Sequence, residues 1–450
     1  MAVAIRPLGQ AATTAWDAFV EAHPGGTFFH RAAWATIIER AFGHRTLYVY
    51  AERDGAITGV LPLAQVKTLL FGNILISVPF CVYGGPLAVD PETAAALSAH
   101  AASLLGRTGA SAVEFRYRGP GGGMSRAGTS GGNESAGETS GPATQPAVSP
   151  NTVLREMAGS SPAMTQKRDA EPASGSSPAM TWGQVRDAEP PPIRSIPVMP
   201  DATAGAREWQ VAADPSVHSL IGMNDDCAAN DWLTRPDLYV TFRKRIDADH
   251  DKNLKSIPRK QRAMVRKGIQ TGLRSVVHRD VGQLHGIYAQ SVRNLGTPVF
   301  SRRYFALLAE VFGSDCDILT VLDDDNPISA VMNFYFRDEV LPYYGGGTTF
   351  ARQRAANDFM YWEVMRRAAD RDCRLFDFGR SKLGTGAFDF KKNWGFVPQH
   401  LCYRYKLAPG AAIPDHNPLN PKYRLFIAGW KRLPVAVANA IGPSIVRGLG

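Results

Sequence analysis

Apolar and polar positions alternate along "TLYVYAERDGAITGVLPLAQV", Thr46 to Val66, and break at Asp54-Gly55. That is the signature of two antiparallel strands joined by a tight turn. A second alternating run, "SAVMNFYFRDEVLPYY", turns near Asp338. Each hairpin leads into a strand that ends in glycines, then a helical stretch, then another apolar strand. In the first half these are "SVPFCVYGGPL", a helix from Pro91 to about Arg107, and "SAVEFRYR". In the second they are "EVLPYYGGGTTF", a helix from Gln353 to about Arg371, and "RLFDFG". Strand, glycine turn, helix, strand is βαβ order and predicts parallel pairing of the flanking strands. The intervals Tyr83–Phe115 and Tyr344–Phe376 are both 32 residues. Matching order, turn chemistry and spacing predict two copies of one α/β domain.

Within the first copy the periodicity stops. From Gly119 to about Gly205 the chain is rich in Gly, Ser, Pro, Ala and Thr, and it repeats itself: "GSSPAMTQKRDAEP" at Gly159, "GSSPAMTWGQVRDAEP" at Gly175. Such phrases bury too little apolar surface to offset chain entropy, which predicts a disordered insertion in the first domain. The expected division is 1–118 for the first part of that domain and 119–205 for the insertion. Residues 206–250 complete the domain and connect onward, 251–408 hold a basic helical segment and the second domain, and 409–450 form a tail.

Composition narrows the class. The 450 residues carry a formal charge of +9 with 44% hydrophobic residues, ordinary for a globular protein with an anionic ligand or without one. Much of the excess sits in "KNLKSIPRKQRAMVRKGIQTGL", with seven Lys/Arg and no acid, where Ser256 and Pro258 mark a helix start. Arg259, Lys260, Arg262, Arg266 and Lys267 form either a solvated helix face or a surface for RNA or another polyanion. Five scattered cysteines without CxxC spacing point to reduced thiols in the cytoplasm. No zinc, HExxH or Ser/His/Asp arrangement appears, and the run Asp323–Asp325 before Asn326-Pro327 reads as a hairpin turn instead of a metal site. The N-terminus lacks the pattern of a signal peptide, and no apolar run approaches the ~20 residues of a membrane span. The tail "YRLFIAGWKRLPVAVANAIGPSIVRGLG" is expected to pack on the body, with interfacial membrane contact as the alternative.

The hairpin, strand, glycine turn, helix, strand pattern resembles the GNAT acyltransferase fold, and two such domains in tandem resemble the Fem-type transferases. "TFFHRAAWATIIERAFGHR" is similar to that family's opening aromatic-Trp segment; "NDFMYWEVMRRAADRDCRLFDFGR" and "GAFDFKKNWGF" are similar to its closing signature. With "SVPFCVYGGP" and "LKSIPRKQRAMVRKG", the whole looks most like the FemAB-related proteins of exosortase and exopolysaccharide loci. The resemblance implies an α/β fold of two tandem GNAT-like domains. It also implies transfer of an aminoacyl or acyl group to an amine of a cell-envelope or exopolysaccharide precursor. Aminoacyl-tRNA is the favoured donor and acyl-CoA or an acyl carrier the second; no cofactor or metal is implied, and a monomer is expected. A non-catalytic RNA- or glycan-binding protein is the alternative from another class.

The residues depart from the family in places. The acetyl-CoA loop of GNAT enzymes presents glycine backbone to a pyrophosphate, whereas "RQRAAND" puts Ala355 and Asn357 there. Trp34 is followed by Ile38 and Arg40, not by the lysine of muropeptide-using relatives. The arginine that meets acceptor phosphates in the family best matches Arg293.

Ligands of α/β sheets gather at the carboxyl ends of strands, and Gly379 ends one. Arg380, Ser381 and the Gly384-Thr385-Gly386 turn would face that opening, and "FDFKKNWGF" would place Lys391 or Lys392 beside the donor. A cation there would stabilise the oxyanion of aminolysis, its ammonium staying wet otherwise. Asp377, Asp389 or a water would take the amine proton. Tyr343, Tyr344 and Asn357 are candidate pocket wall, and Trp394, with Phe388 and Phe390, is either core or donor contact.

Overall fold

The computed structural model describes residues 2–68, 72–118, 232–236, 239–413 and 421–449; the duplicated segment 119–205 lies outside them. In the first half, β1 (Ala4–Pro7) leads to helices α1 (Thr13–Ala22) and α2 (Ala33–Phe42) and the short β2 (Arg45–Thr46). The predicted hairpin follows as β3 (Val49–Arg53) and β4 (Ala56–Leu61), with Asp54 and Gly55 both at positive φ, the backbone of a two-residue turn. Pro62 has no N–H to donate, and there the strand changes partners: β4 pairs with β3, while β5 (Leu63–Thr68) pairs with β6 (Gly72–Ser77). A two-residue β7 (Leu87–Ala88), helix α3 (Pro91–Thr108) and β8 (Ala112–Tyr117) complete the half. Asp90 caps α3 by accepting from Thr93 N at 2.7 Å, and Gly109 ends it in the left-handed region.

The second half begins with β9 (Trp232–Arg235), β10 (Tyr239–Arg245) and the helices α4 (His250–Ser256) and α5 (Arg259–Gln270), the last starting directly after Pro258. Then come β11 (Arg274–His278), α6 (Val281–Leu295), α7 (Arg302–Phe312) and the antiparallel run β12 (Cys316–Asp323), β13 (Asn326–Phe336) and β14 (Glu339–Gly347). A short α8 (Thr349–Gln353) precedes α9 (Ala356–Asp370), β15 (Leu375–Asp377), β16 (Ser381–Lys382) and α10 (Gly386–Asn393). The chain closes with β17 (Pro398–His400), β18 (Cys402–Leu407), α11 (Pro421–Trp430) and α12 (Val435–Val446). The Asp323–Asp325 run forms the turn between β12 and β13, where Asp323 faces Asn326.

Both halves contain a parallel pair, β6 with β8 and β14 with β15; in the first half the expected strand at 77–87 is instead the loop that follows β6, and the pairing strand precedes it. The equal 32-residue spacing is not a structural equivalence, however. Ile76 faces Glu114, whereas Val340 faces Phe376, and Tyr83 lies in a loop beyond its strand while Tyr344 is inside one. Common order came from the fold; common spacing came from loops of compensating length.

The sheets do not follow the chain halves. Strand β10 adds to β15 antiparallel, and β18 crosses back to add to β8, with β9 outside it. The second pair is thus extended by a strand of its own half, whereas the first is extended by β18 from the end of the other half. Two cores sit beneath α3 and beneath α9, and a third, aromatic one lies between the halves. There Phe28 stacks on Phe334 with centroids 4.6 Å apart, and Trp34 packs on Phe312 at 5.2 Å. The opening aromatic segment is inter-half packing.

Candidate active site

The parallel pairing of β14 with β15 lasts only two residues. Past Val340 and Phe376 the strands part, and the separation has local causes. The ladder between β13 and β14 shifts register after Met332, so that Tyr344 faces Met332, Pro342 faces Asn333 and Tyr343 is left over as a bulge. Strand β14 then runs out as Gly345-Gly346-Gly347, pressed between helices: a Cβ on Gly346 would lie 2.7 Å from that of Ser291 on α6. On the other side β15 ends at Asp377, and Gly379 turns the chain with φ +67°.

Lys391 reaches into this opening from α10. Thr385 caps that helix by accepting from Phe388 N, and Trp394 fastens its end, buried and donating from Nε1 to Asp358 at 3.0 Å. The Lys391 Nζ donates to the carbonyls of Gly379 and Arg380, both at 3.1 Å, and stands 5.8 Å from the centre of the Phe242 ring. The residue is half-buried, its head held by carbonyls instead of staying wet, contrary to expectation. Desolvation pulls its pKa down to about 7; nearby Asp377 opposes that and Arg380 adds to it. An ammonium has three N–H groups, so the two carbonyls leave one to offer a ligand.

Asp377 is buried, and all of its capacity is engaged. Oδ1 accepts from Gly379 N at 2.6 Å and from the Thr241 hydroxyl at 3.2 Å; Oδ2 accepts from the Tyr83 hydroxyl at 2.8 Å and pairs with Arg243 at 3.2 Å. Arg243 also holds Glu339 at 3.0 Å. Burial, with help from Asp377, pushes Glu339 up to about 7, against the pull of Arg243. A carboxylate with four partners fixes geometry; it is poorly placed to collect a proton. Asp389 and Lys392 are exposed on α10, away from this cluster.

Arg380 lies on the rim. Its Nη1 donates to the Tyr403 hydroxyl at 2.7 Å, and its guanidinium rests 4.6 Å from the Tyr239 ring. The Ser381 hydroxyl is buried and has no partner. Tyr343 presents its ring to Gly379 and donates to Phe80 O at 3.2 Å, while Tyr344 is core, bonded to the Tyr304 hydroxyl at 2.6 Å. Asn357 stands at the start of α9 with its Oδ1 buried and unpartnered beside Gly347. Ala355, just before α9, takes the left-handed backbone usual for glycine, at φ +57°. Arg293 is not brought to Lys391: it sits in the last turn of α6 and donates to Lys431 O at 3.1 Å.

The basic residues of α5 split by face. Arg259, Lys260, Arg266 and Lys267 are exposed, and Arg262 is half-buried over Lys255 O at 3.0 Å. None of the five makes an ion pair among the described residues. Gln261, on the inner face, donates to Asp358 at 2.9 Å, the same oxygen that Trp394 uses. Burial raises the Asp358 pKa, against those two hydrogen bonds. One buried carboxyl thereby joins the basic helix to the helix that carries Lys391.

The sequence reasoning passed over Tyr83, Thr241, Arg243, Glu339 and Asp358. Only lone polar residues within apolar runs, such as Asp358 in "NDFMYWEV", signalled them. Among the described residues, no group of three or more His, Cys, Asp or Glu could hold a metal ion, and no helix is long and apolar enough to cross a membrane.

The model of the acetyltransferase (GNAT) domain family matches residues 252–392, the stretch that builds this site. Among solved structures, the crystal structure of FemX is similar over 89% of this chain and 96% of its own, at 13% identity and TM-score 0.55. A tandem GNAT protein from the clavulanic acid biosynthesis pathway is similar over 92% of this chain and 100% of its own, at 11% identity and TM-score 0.45. The C-terminal domain of a putative lysylphosphatidylglycerol synthetase from Agrobacterium fabrum covers 87% of this chain and 91% of its own, at 10% identity and TM-score 0.42. No curated protein matches. The likeness to FemX is one of fold; the match to the GNAT domain, confined to residues 252–392, supports an acyltransferase.

Proposed function

We propose that this acyltransferase moves an aminoacyl group from aminoacyl-tRNA to an amine of a cell-envelope precursor in the cytoplasm, with Lys391 at the reacting carbonyl. The observation that carries this reading is the half-buried Lys391 amine at the parting strands β14 and β15, two carbonyls holding it and one N–H left over. In the step, the acceptor nitrogen attacks the ester carbonyl and forms the C–N bond. The C–O bond to the ribose then breaks. The proton lost by nitrogen passes through water to the leaving oxygen, since Asp377 has no free lone pair and Asp389 is remote. Lys391 stabilises the oxyanion in its ammonium form, and the buried Ser381 hydroxyl and the Tyr343 ring border the same strand end.

The tRNA donor is supported by the unopposed cations of α5, a helix whose Gln261 shares Asp358 with Trp394 at the end of the helix of Lys391. Binding of tRNA to the full chain should fall steeply with salt. Arg259→Gln, Lys260→Gln and Arg266→Gln together should flatten that slope by about 2, at roughly 0.7–0.9 per phosphate contact. Salt-insensitive binding of acyl-CoA, with no tRNA affinity at low salt, would move the assignment to a CoA-linked donor. The α9 N-terminus with Thr348 and Asn357, whose side-chain oxygens are buried and unpartnered, is where that donor would lie.

A further inference from the structure

We infer that the successive helices α11 and α12 dock on the surface of an anionic lipid bilayer. The inner side of the pair is held to the body. Trp430 is buried, and Ile427 packs on Gly296. Arg293 bonds Lys431 O, and at the far end His44 Nε2 lies 2.7 Å from Arg447 O. On α12 the buried face is Ala438, Gly442 and Val446, one residue per turn; a Cβ on Gly442 would meet the backbone of Val299 at 3.0 Å.

The outer side is apolar as well. Leu425 is 86% exposed, and Phe426, Val437 and Ile441 are each 43% exposed. Leu295, next to the glycine that Ile427 covers, is 68% exposed. Helix α12 contains no charged residue, and on its exposed face Ser444 accompanies Ala436, Val437, Ala440 and Ile441, far short of the polar stripe of a helix that borders water. A helix apolar on both sides either lies inside a core or faces lipid. At twelve residues α12 is far short of the ~20 that cross a bilayer, which leaves the plane of the interface.

Charge selects the occupant. Residues 421–450 include Lys422, Arg424, Lys431, Arg432 and Arg447 and no Asp or Glu. Lys431 and Arg432 are exposed at the turn between the helices, and Arg447 is exposed at the end of α12. Cations bordering an apolar face complement anionic headgroups around an acyl boundary. A second copy of the same face would set these cations against each other with no acid to meet them.

The inference does not rest on the acyl-transfer reading, and its test needs no turnover. The full chain is floated with vesicles of phosphatidylcholine mixed with phosphatidylglycerol, and with phosphatidylcholine alone. It should bind the mixed vesicles, bind the neutral ones far less, and lose binding as salt rises. Leu425→Glu with Ile441→Glu should weaken partition by about tenfold or more while thermal melts stay unchanged, because both positions are exposed. Lys431→Gln with Arg432→Gln, which keeps the apolar face, should weaken binding to mixed vesicles only. Failure of the parent to float, or equal floating of parent and both variants, would overturn the proposal. So would a concentration-dependent dimer, abolished by Leu425→Glu, in a chain that ignores lipid.

Discussion

The two halves open the same parallel pair of strands and then treat the gap differently. In the first, the loop after β6 folds back: Gly84 and Gly85 donate N–H to Arg116 O at 3.1 and 2.9 Å, and the Ser77 hydroxyl accepts from Arg116 N at 3.1 Å. The Arg116 side chain finishes the closure, paired with Glu114 at 2.6 Å and bonded to Cys81 O at 2.8 Å, all of it buried. In the second half no loop returns. A side-chain ammonium bridges the end of β15, and the glycine end of β14 stands apart from it. One opening was turned into structure and the other kept as a site. Even the loop that closes the first contributes Tyr83 to hold Asp377 of the second.

The largest effect expected from this contrast is on stability. Arg116→Ala leaves the buried Glu114 without its cation, with the Tyr405 hydroxyl as a remaining partner, and should cost about 3 kcal/mol, read from urea unfolding. A variant as stable as the parent would mean that the first opening is not held by this pair.

Lys391→Met should do the reverse. It should lower kcat/KM by about 10²–10³ with the fold retained, since one oxyanion donor is worth roughly 3–4 kcal/mol. Full turnover in that variant would reduce the second opening to packing as well.

The pH dependence sharpens the assignment. If the ammonium is the working form, kcat/KM of the parent should fall as pH rises through about 7, and the Met variant should lack that limb. A rising limb would make Lys391 a base. Stability carries the opposite sign. Because folding depresses this pKa, the unfolded chain binds the extra proton between about 7 and the ordinary lysine value, so the lysine's contribution to stability grows with pH across that window. Lys391→Met should therefore be most stabilising relative to the parent below pH 7. Paired melts across the range would show it.

The smallest expected effect concerns the start of α9. Ala355 holds a left-handed backbone, and Ala355→Gly should raise stability by up to about 1 kcal/mol, seen as a small rise in Tm. A loss would mean that its buried methyl outweighs the strain.

Periodicity determined the hairpins by itself. Alternation and turn residues specified those at Asp54-Gly55 and Asp338, and strand-to-helix order specified the parallel pair of the second half, because these depend on neighbours within a few residues; in the first half the same reading put the strand on 77–87, which is the loop after β6. The stretch Leu375–Phe396 was legible as a strand end followed by a cation, and the structure puts Lys391 there. Tertiary structure decided the rest. That β18 returns to β8 while β10 joins β15 depends on pairings across more than a hundred residues, which no local pattern encodes. The half-burial of Lys391 likewise depends on Phe242 of β10 and the turn at Gly379 and Arg380 after β15 converging on it, so its lowered pKa belongs to the assembled site. Arg293 and Asp389 carried suitable chemistry in the sequence, but helix packing directed one to the tail and left the other in solvent. Residue type fixes what a side chain can do; only the packed elements fix what it can reach.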